Sequence, residues 1–457
     1  MRNALRWLLA SLLALAVAGS ASAQAGDPEA EAFRDAFLAG ELSWEDVLER
    51  AQAEGEVVWG HWGGSDRLNQ WIDFVVTPRM AELGITLRTA RVPDTRDAVD
   101  LVLAEARSGR GLGQGSIDTI WINGENFLTL STQELLFGSF ADMVPNSVYF
   151  HWDPENPASG PNLFDFGHPT ERAEMPWSGD YYTCFFNSAN VAREDLPRSH
   201  LDLEAWLREN PGRFTYIRPP QFNGNAFVSG VLYGFNPDGT GASAFQVTAS
   251  EMGPDEFIRL TRDAYDWMRG IEPFLLGGGG ADGVRGDPIY PSGPDGIEAH
   301  LINGEIDIGC RYGLYNTATK LETGSFPETV ENFVWPDTGM IRNKNFLVIV
   351  GNAPNPAAAL VFANEMATVD MQTSQLVDLG YPLGIDADLL GDDFLDTVLA
   401  EAPSTMGIGY DELGAVTVPN THATLIDIQE EVWIEYVERR SSDDFEAIVR
   451  AAFAGRQ

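Results

Sequence analysis

Six short stretches gather aromatic, amide and charged side chains at close spacing. WGHWGGSD brings Trp59, His61, Trp62 and Asp66; WINGEN brings Trp121, Asn123 and Glu125; PWSGD brings Trp177, Ser178 and Asp180. RPPQFNGN adds Gln221 and Asn225, RYGLYN adds Arg311, Tyr312 and Tyr315, and IRNKN adds Arg342 and Lys344. Ring faces supply apolar area and attract cations, while a few fixed polar groups orient a small ligand. Any one stretch is more often packing than recognition. Their recurrence at loop lips points to a small-molecule pocket that uses Trp59, Trp62, Asp66, Trp121, Asn123, Glu125, Trp177, Asp180, Gln221, Asn225, Arg311, Tyr312, Tyr315 and Lys344.

Catalytic readings find less support. Glu125 and Asp180 would serve as a carboxylate pair of the glycosidase kind, so a secreted hydrolase acting on a small polar substrate is the alternative. The six histidines, His61, His151, His168, His200, His300 and His422, show no H-E-x-x-H or Cys/His ligand spacing, and no metal site is expected. GGGGADGVRGD lacks the Gly-Lys-Ser/Thr ending of a phosphate-cradling loop and reads as a mobile loop; no G-x-S-x-G elbow occurs. No cofactor is called for.

Strand and helix periods alternate around these stretches. Residues 57–59 read as a short buried strand, 60–64 as a tight loop and Ser65 as a helix N-cap, after which Leu68, Trp71, Ile72, Val75 and Val76 follow helical spacing. ITLRTARV and IDTIWI are further strands, each followed by a helix, and such alternation implies parallel βαβ units. Ligands of open parallel sheets bind beyond the carboxyl ends of the strands. WINGEN is such a corner, with Gly124 allowing the sharp turn. Residues 140–175 are irregular and rich in Pro, Gly and Asn; then DYYTCFFN, FTYI, IDIGC and FLVIV resume the strands, and the last third is mostly helical. Two α/β lobes with a hinge follow: 24–180 as the N-terminal part of lobe 1, 181–338 as lobe 2, and 339–457 as a return to lobe 1 with C-terminal helices.

Arg2 and Arg6 precede the apolar run Leu8 to Val17, which ends in Ala21-Ser22-Ala23. That is a cleavable export signal over residues 1–23, and it places the protein in the periplasm. Removing its two arginines takes the formal charge from −39 to −41, and Lys320 and Lys344 are the sole lysines. Such acidity disfavours nucleic acid, whose phosphates need a basic face. Export makes a disulfide between the two cysteines, Cys184 and Cys310, chemically feasible, but their separation in space is not readable from the sequence.

VVWGHWGGSDRLNQWIDFV, IDTIWINGENFLTL, MPWSGDYYTCFFN, FTYIRPPQFNGNAFVSGVLY and GMIRNKNFLVIVGNAPNPAAALVFANEM resemble the YnjB-type periplasmic solute-binding proteins of ABC importers, over about residues 55–375. The resemblance implies a two-lobed type II periplasmic-binding-protein fold, each lobe a mostly parallel sheet flanked by helices. It implies a monomer that closes on a small solute, delivers it to an inner-membrane ABC permease and catalyses nothing. Relatives in this branch resemble thiamine, polyamine and iron binders alike. Iron ligation of the tyrosine type would need adjacent tyrosines, and Tyr312 and Tyr315 are separated by two residues. The tryptophans with Asp66, Glu125 and Asp180 favour a thiamine-like or polyamine-like cation; Arg311, Arg342 and Lys344 would suit an anionic group.

Overall fold

The computed structural model describes residues 26–280, 286–401 and 403–454. The export signal at 1–23 and part of the glycine-rich loop at 277–287 lie outside the described residues. Strand β1 (Glu56–Trp62) pairs in parallel with β2 (Thr86–Val92) and β3 (Thr119–Ile122). Strands covered on both faces need near-continuous apolar sequence; Val57, Trp59, Ile120 and Ile122 are fully buried. β1 outlasts the strand expected at 57–59 because Gly60 stays in register, opposite Ala90 and Ile120. The tight loop is therefore 63–65, where a Cβ on Gly64 would lie 2.3 Å from the Trp62 ring. Ser65 caps α1 (Asp66–Trp71), its hydroxyl accepting from Leu68 N at 3.3 Å. Helices α2 (Thr95–Arg107) and α3 (Gly124–Thr132) follow β2 and β3.

The chain then crosses on β4 (Glu174–Asn187), passes through α4 (Phe222–Phe235), β5 (Ile308–Tyr312) and β6 (Val330–Phe333), and returns on β7 (Met340–Ile349). After α5 (Pro356–Met366) come β8 (Thr417–Val418), α6 (Ala423–Val432) and α7 (Phe445–Phe453). The sheet order is β2-β1-β3-β7-β4-β5, with β8 beside β7 and β6 beside β4. β4 and β7 run antiparallel from Glu174 opposite Val348 to Tyr181 opposite Arg342. β7 meets β3 over residues 346–349 and β8 at 340–341, while β4 meets β5 from residue 182 and β6 from residue 184.

Two large hydrophobic cores flank this strand pair. One packs Val57, Trp59, Phe127, Leu347, Ile349 and Phe362; the other packs Phe186, Phe227, Tyr265, Ile308, Trp335 and Trp433. β4 and β7 feed both, with Met175 and Trp177 in the first core and Tyr182, Cys184, Met340 and Ile341 in the second. The segment 339–457 is divided between them: α5 packs in the first core, whereas Leu425, Val432, Phe445 and Val449 of α6 and α7 pack in the second.

Two strands differ from their expected form. FTYI makes a single bridge, Phe214 to Ile308, because its backbone bonds to a neighbouring loop instead, with Leu276 N donating to Phe214 O at 2.9 Å and Arg218 N to Pro291 O at 3.0 Å. β4 starts six residues before DYYTCFFN, carrying Pro176 and Gly179 through an irregularity between Pro176 and Ser178. Cys184 and Cys310 sit opposite each other on β4 and β5 and are joined by a disulfide across a sequence separation of 126. A loop of that length carries a chain-entropy contribution of roughly 5 kcal/mol. A Cys184→Ala/Cys310→Ala variant is expected to lose about 2–5 kcal/mol in urea unfolding; a loss below about 0.5 kcal/mol would show that native packing alone holds β5 on β4.

Candidate ligand-binding site

β3 ends at Ile122 and α3 begins at Gly124, whose φ of 56° and a would-be Cβ contact of 2.6 Å with the Phe166 ring leave room for glycine alone. The first N–H of α3, on Gly124, donates to Asp165 Oδ2, and Asn123 Nδ2 donates to Lys344 O at 2.6 Å. The second bond fixes the corner against β7 and the first against the Phe164–Asp165 segment. Trp121 is partly exposed there, its ring centred 5.0 Å from Trp177, 6.3 Å from Tyr381 and 6.5 Å from Trp62. Trp177 in turn meets Trp59 at 5.6 Å. Trp59 and Trp177 are 0% exposed and form the wall, while Trp62, Trp121 and Tyr381 are half-buried. Asp66 is exposed in the first turn of α1.

Opposed residues of antiparallel strands share one face of the sheet. Trp121 faces Leu347, Ser178 faces Asn345 and Asp180 faces Asn343, so all lie on one side. PWSGD and IRNKN are thus mid-strand segments rather than corners. Asn345 Nδ2 donates to Ser178 Oγ at 2.7 Å, and Asn343 Nδ2 donates to the Tyr312 hydroxyl at 2.7 Å. The Tyr312 ring lies 4.9 Å from that of Phe222. Asp180 Oδ1 accepts from Tyr181 N at 2.8 Å and Gly313 N at 2.9 Å. Burial nevertheless pushes the Asp180 carboxyl up to about 7, against those bonds and Arg311. The hydroxyls of Tyr312 and Tyr381 are raised by burial and then by the Asp180 charge beside them. Asn343 also lines a cavity of about 480 Å³ with Asp165, Gln246, Arg342 and Asn420.

The cationic candidates are committed elsewhere. Arg311 is 0% exposed, with Nε donating to Glu298 Oε1 at 2.6 Å and the guanidinium 5.0 Å above the Phe185 ring. Lys344 points to the opposite face from Asn343 and Asn345, where Nζ donates to Asp386 Oδ1 at 2.7 Å, Gly384 O at 2.7 Å and Asn162 Oδ1 at 2.5 Å. Burial lowers the Lys344 ammonium to about 8, and Asp386 opposes that shift. Arg342 is exposed, lying over the Tyr181 ring at 5.6 Å. Gln221 caps α4 by accepting from Asn223 N at 2.7 Å, and Tyr315 is buried in the second core.

Glu125, the second residue of α3, is pushed up to about 7 by burial and by Asp427 and Asp94, against Arg96. Glu430 on α6 is pushed up to about 8 by burial and then by Glu125, and accepts from Asn225 Nδ2 at 2.6 Å. The Glu125 charge thus acts on Glu430, while Asp180 is not among the groups that shift Glu125, nor Glu125 among those that shift Asp180. Sequence reasoning missed Tyr381, Asn343, Asn345 and Glu430. Tyr381 had a signal in its Gly380 and Pro382 neighbours, and the asparagines alternate with Arg342 and Lys344. Among the described residues no group of three or more His, Cys, Asp or Glu is arranged to hold a metal ion.

Removing one member of a buried ion pair strands its partner and costs about 3–5 kcal/mol. Arg311→Ala and Lys344→Ala are each expected to lose that much in urea unfolding. Unchanged stability with a loss of binding to an anionic solute would return these cations to the site.

Residues 76–390 match the family model described as bacterial extracellular solute-binding protein. The chain is 29% identical over 400 residues to Protein YnjB of Escherichia coli (strain K12), covering 86% of this chain and 93% of that protein. Its fold is similar to the cyclic alpha-maltosyl-1,6-maltose binding protein from Arthrobacter globiformis, with a TM-score of 0.57 at 14% identity over 88% of this chain and 98% of that one. It is also similar to the periplasmic binding protein AfuA from Actinobacillus pleuropneumoniae, solved with fructose-6-phosphate, with a TM-score of 0.55 at 12% identity over 84% and 99% of the two chains. An ABC transporter substrate-binding protein from Bradyrhizobium japonicum USDA 110 scores 0.55 at 16% identity over 86% and 99%. The strand pair between two cores, the shared α/β sheet and these matches lead to one conclusion: the chain belongs to the bacterial extracellular solute-binding proteins.

Proposed function

We propose that this protein is the exported, monomeric substrate-binding component of an ABC importer, and that its solute is a small organic cation of thiamine-like or polyamine-like type. The charge balance of the candidate site carries this reading. Arg311 and Lys344 are neutralised inside the protein by Glu298 and Asp386. Asp180, Glu125 and Glu430 instead have carboxyls that burial pushes up to between about 7 and about 8. An arriving cation restores the ionised form of such groups and gains charge-assisted hydrogen bonds. The half-buried rings of Trp62, Trp121 and Tyr381 add cation–π attraction and apolar area. Related folds hold a cyclic maltosyl-maltose or fructose-6-phosphate, so the ligand class is argued from side chains and not from the fold.

A solute touching both bodies stabilises the closed arrangement by the difference in its affinity for the two states, and the closed form is what a permease in the inner membrane receives. The leader at 1–23 delivers the chain to the periplasm. Carrying out no catalysis, the protein returns its solute unchanged, whereas the hydrolase alternative built on Glu125 and Asp180 yields product.

A thermal-shift screen against thiamine and its phosphates, polyamines, amino acids, sugars and inorganic ions tests the proposal. A ligand at about 100 times its Kd adds roughly 2.7 kcal/mol of stability. The expected result is stabilisation by amine or thiazolium cations, with the ligand recovered intact. Trp121→Ala should weaken that binding about 3-fold to 30-fold, the range of a cation–π contact, with the unliganded protein still folded. Stabilisation by sugars or anions alone overturns the cation class, and ligand turnover overturns the binding-protein role.

A further inference from the structure

We infer that the charged end of the solute is a primary ammonium or amidinium group that seats between the two bodies of the protein, on Glu125 of α3, Glu430 of α6 and the amide oxygen of Asn225 on α4. This rests on the cation reading above and narrows it, because quaternary nitrogen carries no N–H to donate.

Asn225 is the telling residue. It is 5% exposed, and its Nδ2 donates to both Glu430 Oε1 at 2.6 Å and Pro220 O at 3.4 Å, which sets the orientation of the amide. Its Oδ1 is buried without a donor among the described residues. A buried acceptor left unpaired costs free energy, and here it adjoins the Glu430 carboxyl, which the Glu125 charge raises further. α6 packs against both α3 and α4, so the Asn225 and Glu430 acceptors adjoin on α4 and α6, with Glu125 on α3 supplying a third within electrostatic reach. An ammonium group has three N–H donors, and an amidinium group offers a planar fork.

The surrounding charges do not neutralise the carboxyls. Asp94, the N-cap of α2, and Asp427 of α6 raise the Glu125 carboxyl further, and Arg96 of α2 opposes them. Arg96 is placed 4.0 Å from Asp427. Asp165, whose Oδ2 accepts from Gly124 N, adds another acid beside α3. Phe127 anchors α3 in the first core, while Phe227 and Leu425 anchor α4 and α6 in the second. A group held by all three helices therefore joins the two cores, and its capture is the same event as closure.

Proton linkage follows. Near neutral pH, protons on Glu125 and Glu430 pass to the buffer as the cation enters, so affinity rises from pH 5.5 to pH 8. Isothermal titration of the mature protein with 1,4-diaminobutane and with thiamine, in buffers of different ionisation enthalpy, measures both affinity and proton release. Choline serves as the quaternary control. Glu125→Gln and Glu430→Gln, neutral isosteres of the protonated acids, are each expected to lower affinity about tenfold to hundredfold, the range for hydrogen bonds to charged groups, and to reduce the protons released. Choline is expected to bind more weakly than the wild type's preferred probe. Wild-type affinity that is flat with pH and releases no protons, or unchanged binding in both folded variants, overturns the subsite and leaves the cation reading standing. Failure of both probes to bind wild type takes down the cation reading and the subsite together.

Discussion

The antiparallel pairing of β4 with β7 is the constraint on which the rest of the molecule depends. Seven residues of β4 are matched to β7 between Glu174 and Tyr181, with one irregular step at Trp177, and each strand also enters both hydrophobic cores. A strand has one side chain per face at alternate positions, so this pairing decides which residues look into the site. It sends Asn343, Asn345, Ser178 and Asp180 to one face and Lys344 to the other. Slipping the register by one residue would exchange those sets. The disulfide between Cys184 and Cys310 lies just beyond the same region and holds β5, with its Tyr312 and the Gly313 that follows it, against β4.

Electrostatics follows from that geometry. Buried cations require partners, since desolvation of an isolated charge is expensive, and the buried cations Arg311 and Lys344 have Glu298 and Asp386. Carboxyls outnumber cations in this chain, 68 to 29, so pairing leaves many acids without a countercharge. Most of that excess is free to sit in solvent. Glu125, Glu430 and Asp180 are not, and burial holds their carboxyls well above the ordinary carboxylate range. Raised carboxyls make the folded protein bind more protons than the unfolded chain between about pH 4.5 and about pH 8. Their contribution to stability is therefore greatest at acidic pH and falls as pH rises through that window, until a bound cation restores it.

Much of the fold was legible because local chemistry and tertiary packing agree in the βα units. Ser65 caps the helix that its type announced, and Gly124 takes the left-handed turn expected of WINGEN. The aromatic stretches around Trp62, Trp121 and Trp177 do converge, as their recurrence suggested. Reading failed where long-range pairing overrides local signals. Pro176 and Gly179 argued for a loop, yet pairing with β7 draws them into a strand. Arg311 and Lys344 looked like ligand groups because their partners, Glu298 and Asp386, are 13 and 42 residues away in sequence. Glu430 sits on an amphipathic helix, where nothing local separates a solvated acid from one held by Asn225 and raised by the Glu125 charge.

The central claim is that the two cores move as bodies about β4 and β7 and that a cation draws them together. Spin labels at exposed Asp100 on α2 and Ala447 on α7, one against each core, report it directly through their distance distribution. Addition of the stabilising amine is expected to replace a broad distribution by a shorter, narrower one. A distribution that stays the same while the ligand is bound would contradict the account.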